Sequence, residues 1–216
     1  MKTLLNSVIC IILLLLLACN GKTGKIENKT SESLSMEAVS TPAATTTSTQ
    51  LFGVESAYIK FSNSAAGQEM IREWRFDQYG ARQSEDNYMI VAGQKVGDRS
   101  IVRDGYRYSW GYDSNEGRKS KFYQTVTDYE KVSEKDIERY GIARHGHEDI
   151  LGRKCLKVTI EKPAKSTIWV WNGIVLKTEA VFSGHSVLME AVEINTGTID
   201  EAFFKLPANV EFPEEK

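Results

Sequence analysis

The sequence predicts a mainly β protein, built as a single large, strongly curved antiparallel sheet of about ten strands with one short helix. Two observations favour this fold class. From Leu51 onward apolar and polar residues alternate with period two, which is typical of half-buried strands. Turn signals separate the alternating stretches, at Asn63-Ser64, Tyr79-Gly80, Ala92-Gly93, Asp104-Gly105, Asp113-Ser114-Asn115 and Asn172-Gly173.

The clearest strands place their aromatic residues on one face. In residues 70–79 one face carries Met70, Trp74 and Phe76, and in residues 106–112 one face carries Tyr106, Tyr108, Trp110 and Tyr112. Two long strands at residues 174–182 and 187–194 are joined by a hairpin turn at residues 183–185.

One stretch has the signals of a helix. Ser133 is the expected N-cap, and the carboxylate of Asp136 stands three residues later, where it reaches back to the cap. Ile137 and Tyr140 share a face at helical spacing, and Gly141 ends the helix.

The N-terminus has the pattern of an export signal. Lys2 is followed by an almost continuously apolar stretch from residue 4 to residue 17, broken by Asn6 and Ser7. Its unbroken run, residues 8–18, is too short to cross a bilayer core, which needs about 20 residues. Leu16-Leu17-Ala18-Cys19 then resembles the lipobox of bacterial lipoproteins. The resemblance implies cleavage after residue 18 and attachment of diacylglycerol and an acyl chain such as palmitate to Cys19. The alternative is an ordinary cleaved signal followed by a chance cysteine.

The predicted organisation is a signal peptide at residues 1–18, a lipidated cysteine with a Ser/Thr-rich tether at residues 19–50, and a folded domain at residues 51–216. The tether has too few large apolar residues to form a core. No acidic run follows Cys19, so the sequence shows no sign of the surface-export signal that some lipoproteins carry, and we expect the domain to face the periplasm. We expect the anchoring membrane to be the outer membrane.

Composition excludes several classes of partner. The net charge is −2 and the charges are interspersed, which does not favour nucleic-acid binding. Cys10 leaves with the signal and the thiol of Cys19 is lipidated, so Cys155 is alone and we expect no intramolecular disulfide in the mature chain. We expect a monomer whose membrane contact is its lipid anchor.

Several short stretches resemble a group of bacterial lipoproteins whose fold is like that of the lipoprotein-localisation factors LolA and LolB. They lie at residues 76–80 (FDQYG), 104–108 (DGYRY), 150–155 (ILGRKC), 168–179 (IWVWNGIVLKTE) and 203–210 (FFKLPANV). The resemblance implies a half-open β-barrel with one or a few short helices covering its mouth, and the helix after Ser133 is the candidate cover.

A strongly curled sheet encloses a hollow that suits lipid, an acyl chain or another apolar ligand. The candidates for lining this hollow are Trp74, Phe76, Tyr106, Tyr108 and Trp110. These aromatic residues also fit a packed core, because strand aromatics commonly are core. The alternative function is therefore an envelope structural or protein-interaction lipoprotein with a filled barrel and no ligand.

No catalytic motif is present, so we expect a protein that is not an enzyme and has no cofactor, metal or catalytic residue. His145, His147 and Glu148 offer three potential metal ligands, but their spacing does not match a zinc site. Cys155 alternates with Lys157 and is expected on the more polar face of its strand as an inert thiol.

The lipid anchor gives the first prediction. Replacing the thiol in Cys19→Ser removes the atom that forms the thioether, so incorporation of labelled palmitate into the chain should fall to background. Cys10→Ser is the control and should keep the label. Retained labelling in Cys19→Ser would support the chance-cysteine alternative.

Overall fold

The computed structural model describes residues 50–182 and 184–213. The signal peptide, Cys19 and nearly all of the tether lie outside the described residues, so those assignments stay predictions. Within the described ranges, eleven strands form one open antiparallel sheet in the order β6-β5-β4-β3-β2-β1-β11-β10-β9-β8-β7. The fold class predicted from alternation is confirmed, with eleven strands where about ten were expected.

The strands follow one another with short connections. Their bounds are β1 Ala57–Ala65, β2 Gln68–Asp77, β3 Arg82–Val91, β4 Gln94–Arg103, β5 Tyr106–Gly111, β6 Gly117–Lys121, β7 Ala143–Ile150, β8 Arg153–Ile160, β9 Ser166–Trp171, β10 Ile174–Phe182 and β11 His185–Asn195. The described residues also contain one α-helix, α1 (Glu134–Tyr140), and two 3-10 turns at Gln78–Gly80 and Glu201–Phe204.

Two-residue turns with both residues at positive φ close many of the hairpins, a geometry that matches the twist of the flanking strands. Asn172 and Gly173 have φ of 49° and 79°, as the Asn-Gly signal predicts. The predicted turn at Asn63-Ser64 is wrong, because both residues are paired within β1. The chain reverses at Ala66 and Gly67 instead, where the glycine tolerates a φ of 78°.

The sheet curls at the end where the chain enters it. The Phe52 ring lies 2.5 Å from the position that a Cβ at Gly80 would occupy and 3.9 Å from the equivalent position at Gly173. These glycines lie in the β2–β3 and β9–β10 turns. In a flat sheet β2 and β10 would be about 14 Å apart, at roughly 4.8 Å for each of three steps. A single ring reaches both turns only because the sheet bends around it.

We call the face of the sheet against which Phe52 packs the inner face, and the opposite face the outer face. The main core lies on the inner face and unites strands from both halves of the sheet. Its buried residues are Phe52, Ala57, Ile59, Phe61, Trp74, Phe76, Cys155, Trp169, Ile174, Leu176 and Ala191. Rings stack within this core, with the Phe52 centroid 5.2 Å from Trp74 and 4.7 Å from Phe76.

A strap at residues 122–132 links β6 to α1 and crosses the curled end of the sheet. Gln124 Oε1 accepts a 2.6 Å hydrogen bond from buried Gln83, and Val126 packs on the main core. Ser133 caps α1 by accepting from the Asp136 backbone N–H, and Gly141 ends it at φ 63°, as predicted. The helix buries none of its own residues, so the strap is the element that covers this end of the inner face.

Smaller clusters cover other parts of the sheet. The C-terminal residues Leu206, Val210 and Phe212 pack with Ile101 and Trp110. Tyr129 and Ile142, which flank α1, pack with buried Leu156, Val158 and Ile168, which lie on the opposite face of their strands from Cys155 and Trp169. Among the described residues we find no helix with the length and apolar character needed to span a bilayer.

The role of Phe52 can be tested by stability. Phe52→Ala should lower the free energy of unfolding by about 3–5 kcal/mol, because it removes a fully packed ring between two turns. Phe182→Ala is the control, since Phe182 is 46% exposed and should cost less than about 1 kcal/mol. Urea unfolding measures both, and equal costs would contradict the role of Phe52 as the residue around which the sheet bends.

Candidate functional site on the inner face

The inner face is layered along the strands, and its first layer is a packed aromatic floor. Ile59 pairs with Trp74 and Ala57 pairs with Phe76 across β1 and β2. All four side chains are buried, and Phe52 and the strap cover them. This end of the inner face is filled by the protein's own side chains.

The second layer is charged. Arg72 stands two residues before Trp74 on β2 and therefore shares its face. Its Nη2 donates to Glu85 Oε2 at 2.8 Å, and the Asn87 side chain donates to the other oxygen of Glu85 at 2.7 Å. The guanidinium carbon of Arg72 also lies 5.1 Å from the Trp74 ring centroid, a cation–π contact that holds it over the floor.

Two carboxyl groups of this layer have shifted pKa values in opposite directions. Burial alone would raise the pKa of Glu85, but the Arg72 charge and the hydrogen bonds from Asn87 and Arg72 outweigh it and hold that pKa below its usual range. Burial raises the pKa of Asp98, and the neighbouring Glu85 charge adds to that rise. Glu85 is therefore an ionised partner for Arg72, and Asp98 is a weaker acid than Glu85.

The third layer is rich in methionine. Asn63 on β1 pairs with Met70 on β2 and with Met189 on β11, and Met89 on β3 pairs with Val96 on β4. Met89 follows Glu85 and Asn87 in the alternation of β3, which places it on the inner face. The three methionines are only half-buried. Methionine is flexible and polarizable, and surfaces that bind varied apolar ligands use it often.

Beyond the methionines the sheet ends without a cover. Val91 and Val96, in the β3–β4 hairpin, are 49% and 40% exposed, and Phe182 at the end of β10 is 46% exposed. These side chains lie at the end of the sheet away from Phe52. The inner face therefore runs from a closed aromatic floor to an open, apolar mouth.

The five predicted lining residues fall into two groups. Trp74 and Phe76 form the floor of the inner face, as described above. Ser109 lies on the inner face, because the ladders pair Trp74 with Glu85, Glu85 with Ser100 and Ser100 with Ser109. Side chains alternate along β5, so Tyr108 and Trp110, which flank Ser109, point to the outer face. Tyr106 shares their face, and these three residues form the second group.

The outer group shares one face, as predicted, but it packs under the C-terminal segment. The Phe212 ring lies edge-on to Tyr108 and Trp110, with centroids 5.4 and 5.7 Å away. The five residues therefore do not line one hollow. Alternation within a strand predicts which side chains share a face, whereas the relation between separate strands depends on their register.

Sequence reasoning did not single out Arg72, Glu85, Met89 or Met189 as site residues. A signal was present in β2, because the face of Trp74 and Phe76 continues through Arg72 to Met70 at period two. Glu85 and the methionines of β3 and β11 needed the ladder registers before they could be placed beside it.

Cys155 is a correction to the sequence analysis. It was expected on the more polar face of β8, but its side chain is buried in the main core, because its face turns toward Trp171 and Ile174 at this end of the strand. Its thiol donates to the Arg153 carbonyl at 3.2 Å. Burial raises the pKa of Cys155 to about 11, which keeps the thiol protonated at neutral pH.

The histidine loop of β7 lies on the surface. His145 Nε2 is 2.9 Å from the Thr159 hydroxyl, and His147 lies 3.8 Å from a carboxylate oxygen of Glu130. Within residues 50–182 and 184–213, no group of three or more histidine, cysteine and acidic side chains is placed to hold a metal ion.

A separate cleft of about 580 Å³ lies at the curled end, between the start of β1 and the residues after β11. It is wide open, and Glu55, Asp77 and threonines contribute to its wall. Asp77 is already engaged by Arg82 in an ion pair. This cleft does not offer the continuous apolar wall that an acyl chain requires.

Comparison with known proteins finds relatives by structure alone. No protein-family model matches the sequence, and no curated protein matches it significantly. An uncharacterized conserved protein from Thermus thermophilus matches with a TM-score of 0.53 at 10% identity, over 74% of this chain and 91% of that one. MucB of Pseudomonas aeruginosa, in its complex with MucA, matches with a TM-score of 0.50 at 14% identity, over 72% of this chain and 57% of that one.

The likeness is one of fold. A LolA superfamily protein from Nitrosomonas europaea also matches, at 12% identity over 72% of this chain and 92% of that one, with a TM-score of 0.34. This low score carries no functional inference. The predicted architecture, a half-open antiparallel β-barrel with few helices, is confirmed, since the described residues form one curved, open antiparallel sheet with a single α-helix.

The burial of Cys155 predicts slow thiol chemistry. At pH 8 a pKa near 11 in place of 9.0 leaves about a hundred-fold less thiolate. Iodoacetamide should therefore modify the folded mature chain, made without residues 1–18 and with Cys19→Ser, at least about a hundred-fold more slowly than the same chain in urea. The raised pKa also means that stability is fully present below pH 9 and falls as pH rises toward 11. Rapid modification of the folded chain would contradict this placement.

Proposed function

We propose that this chain is a membrane-anchored, non-enzymatic lipoprotein of the cell envelope that binds lipid, an acyl chain or another apolar ligand on the inner face of its half-open barrel. The observation that carries the proposal is the half-buried methionine layer between the charged layer and the open mouth. A large, partly exposed apolar surface inside a curved sheet marks a binding site more often than a stable free surface.

The layering supports a ligand that enters from the mouth. The floor is sealed by Phe52 and Val126, so a chain that enters has one apolar route, along the methionine row. Three unbranched side chains, on β3, β2 and β11, adapt their rotamers to chains of different shape. The site thus suits flexible hydrocarbon better than a rigid, polar molecule.

The filled-barrel alternative accounts for the floor but not for the mouth. At the floor Trp74 and Phe76 are buried, as a structural protein would require. At the mouth Val96 is 40% exposed and Met70, Met89 and Met189 are half-buried. The same inner face therefore passes from core to binding surface within a few residues.

The proposal also includes the lipid anchor and the location of the protein in the cell envelope. Lipid on Cys19 would hold the chain on the outer membrane, facing the periplasm, with residues 20–50 as a tether. A flexible tether of about 30 residues would have a root-mean-square span near 30 Å and would let the mouth approach the membrane surface. We propose that the protein acts as a monomer, without a cofactor, and that its outer-face aromatics are structural.

The methionine layer can be tested with a matched pair of variants. Met89→Gln places an amide in the apolar row and should weaken binding of an uncharged fluorescent probe, the methyl ester of a fluorescent fatty acid, by about five-fold or more, because an unpartnered buried amide costs about 1–3 kcal/mol. Ile90→Gln changes the next residue, which points to the outer face and is 56% exposed, and should leave affinity within about two-fold.

Probe titration measures both variants, with urea unfolding to confirm that each is folded. Equal affinities for the two variants, or no binding to the unaltered chain, would contradict the proposed site.

A further inference from the structure

We propose that the Arg72–Glu85 pair selects lipids in which the acyl chain ends in an uncharged carbonyl group, an ester or an amide, over lipids with an anionic head. The inference rests on the proposed function, because it requires a ligand on the inner face. It adds the chemical class of the group that lies deepest in the site.

Arg72 has donors that the protein does not satisfy. Its Nη2 donates to Glu85, but the contact of its Nη1 is the thioether of Met189 at 4.0 Å, and thioether sulfur is a weak acceptor. The Nε of Arg72 is buried without a hydrogen-bond partner. The side chain is 22% exposed, so part of the guanidinium faces the space above the floor. A carbonyl oxygen placed there would accept from it.

Asn63 supplies a second unpaired group in the adjacent layer. Its side-chain oxygen is buried without a partner, in the row that it forms with Met70 and Met189. Buried polar atoms are nearly always satisfied, so two orphans in neighbouring rows need a cause. A ligand that both accepts and donates, such as a primary amide or a hydroxy-ester, would satisfy Arg72 and Asn63 together.

Acidic groups lie next to Arg72, which disfavours an anion there. Arg72 is neutralised by Glu85 at 2.8 Å, and Asp98 adds a second acidic group on the same face. The other basic groups of the inner face near this layer, Arg107 and Arg118, lie on β5 and β6, two and three strands from Glu85. An anionic head at Arg72 would be repelled by Glu85, whereas a carbonyl dipole accepts a hydrogen bond from Arg72 without displacing Glu85.

The test compares probes that share one hydrocarbon chain. The mature chain, made without residues 1–18 and with Cys19→Ser, is loaded with an uncharged fluorescent probe, the methyl ester of a fluorescent fatty acid, which is displaced by monoolein, oleamide or oleyl sulfate. Monoolein and oleamide should displace it at concentrations at least about ten-fold lower than oleyl sulfate. If monoolein displaces the probe at a lower concentration than oleamide, the preferred group is an ester, and the reverse order indicates an amide. Both results support the inference.

Two variants assign the preference to the pair. Arg72→Met with Glu85→Gln replaces the ion pair by neutral groups and should reduce the ten-fold preference to less than about two-fold while the probe still binds. The control is Arg82→Met with Asp77→Asn, an ion pair on the outer face of the same two strands, which should keep the preference. If the double variant does not fold, Arg72→Lys keeps the charge, loses the planar donor set and should lower the preference at least about three-fold.

The outcomes separate this inference from the proposed function. Oleyl sulfate displacing as well as monoolein, or a preference that persists without Arg72 and Glu85, would overturn the inference and leave lipid binding intact. Failure of the chain to bind the probe or any of the three lipids would overturn both.

Discussion

The packing of one phenylalanine between two distant turns sets the shape on which the rest of the structure depends. Phe52 precedes the first strand, yet its ring contacts Gly80 in the β2–β3 turn and Gly173 in the β9–β10 turn. A side chain at Gly80 would collide with the ring, so both the large residue and the small one are needed. The contact closes one end of the curled sheet and gives its two faces different surroundings.

Those surroundings explain why the two faces carry different chemistry. On the outer face Arg75 pairs with Glu73 at 2.7 Å and with Asp86 at 3.3 Å, and Asp86 also receives Arg99, so these charges satisfy one another. The C-terminal segment packs nearby, with Phe203 over Arg75. On the inner face Arg72 pairs with Glu85, but other N–H groups of its guanidinium lack a strong hydrogen-bond acceptor. The charged groups of the outer face thus pair with one another, whereas Arg72 on the inner face keeps donors without a partner.

The order of the inner layers follows from simple strand geometry. Phe76, Trp74, Arg72 and Met70 stand two residues apart on β2, so each step of about 6.6 Å along the strand changes the environment from packed core to ion pair to methionine. Because the floor is sealed, an amphiphile would lie with its deepest polar atoms at Arg72 and its hydrocarbon toward the mouth.

Local rules predicted much of the fold. Alternation identified β2 and β5 and the faces of their aromatics, the Asn172-Gly173 signal identified a hairpin, and Ser133 with Gly141 bounded the helix. The residues that determine each of these features lie within a few positions of one another in the sequence.

The parts that could not be predicted depend on distant contacts. Asn63-Ser64 has turn chemistry, but pairing on both sides of β1 holds it extended. Cys155 alternates with Lys157, yet it is buried because its end of the strand faces the core around Phe52. The separation of Trp74 from Trp110 across the sheet depends on three ladder registers, and no local pattern carries that information.

The central claim is that the inner face, and in particular its methionine layer, receives the ligand. The most direct measurement is NMR of the mature chain with ¹³C-labelled methionine methyl groups during titration with monoolein. Met70, Met89 and Met189 lie on the inner face, and Met36 in the predicted tether is an internal reference. The account predicts saturable shifts of the three inner-face methyls with Met36 unchanged. Unchanged spectra, or shifts no larger than that of Met36, would contradict it.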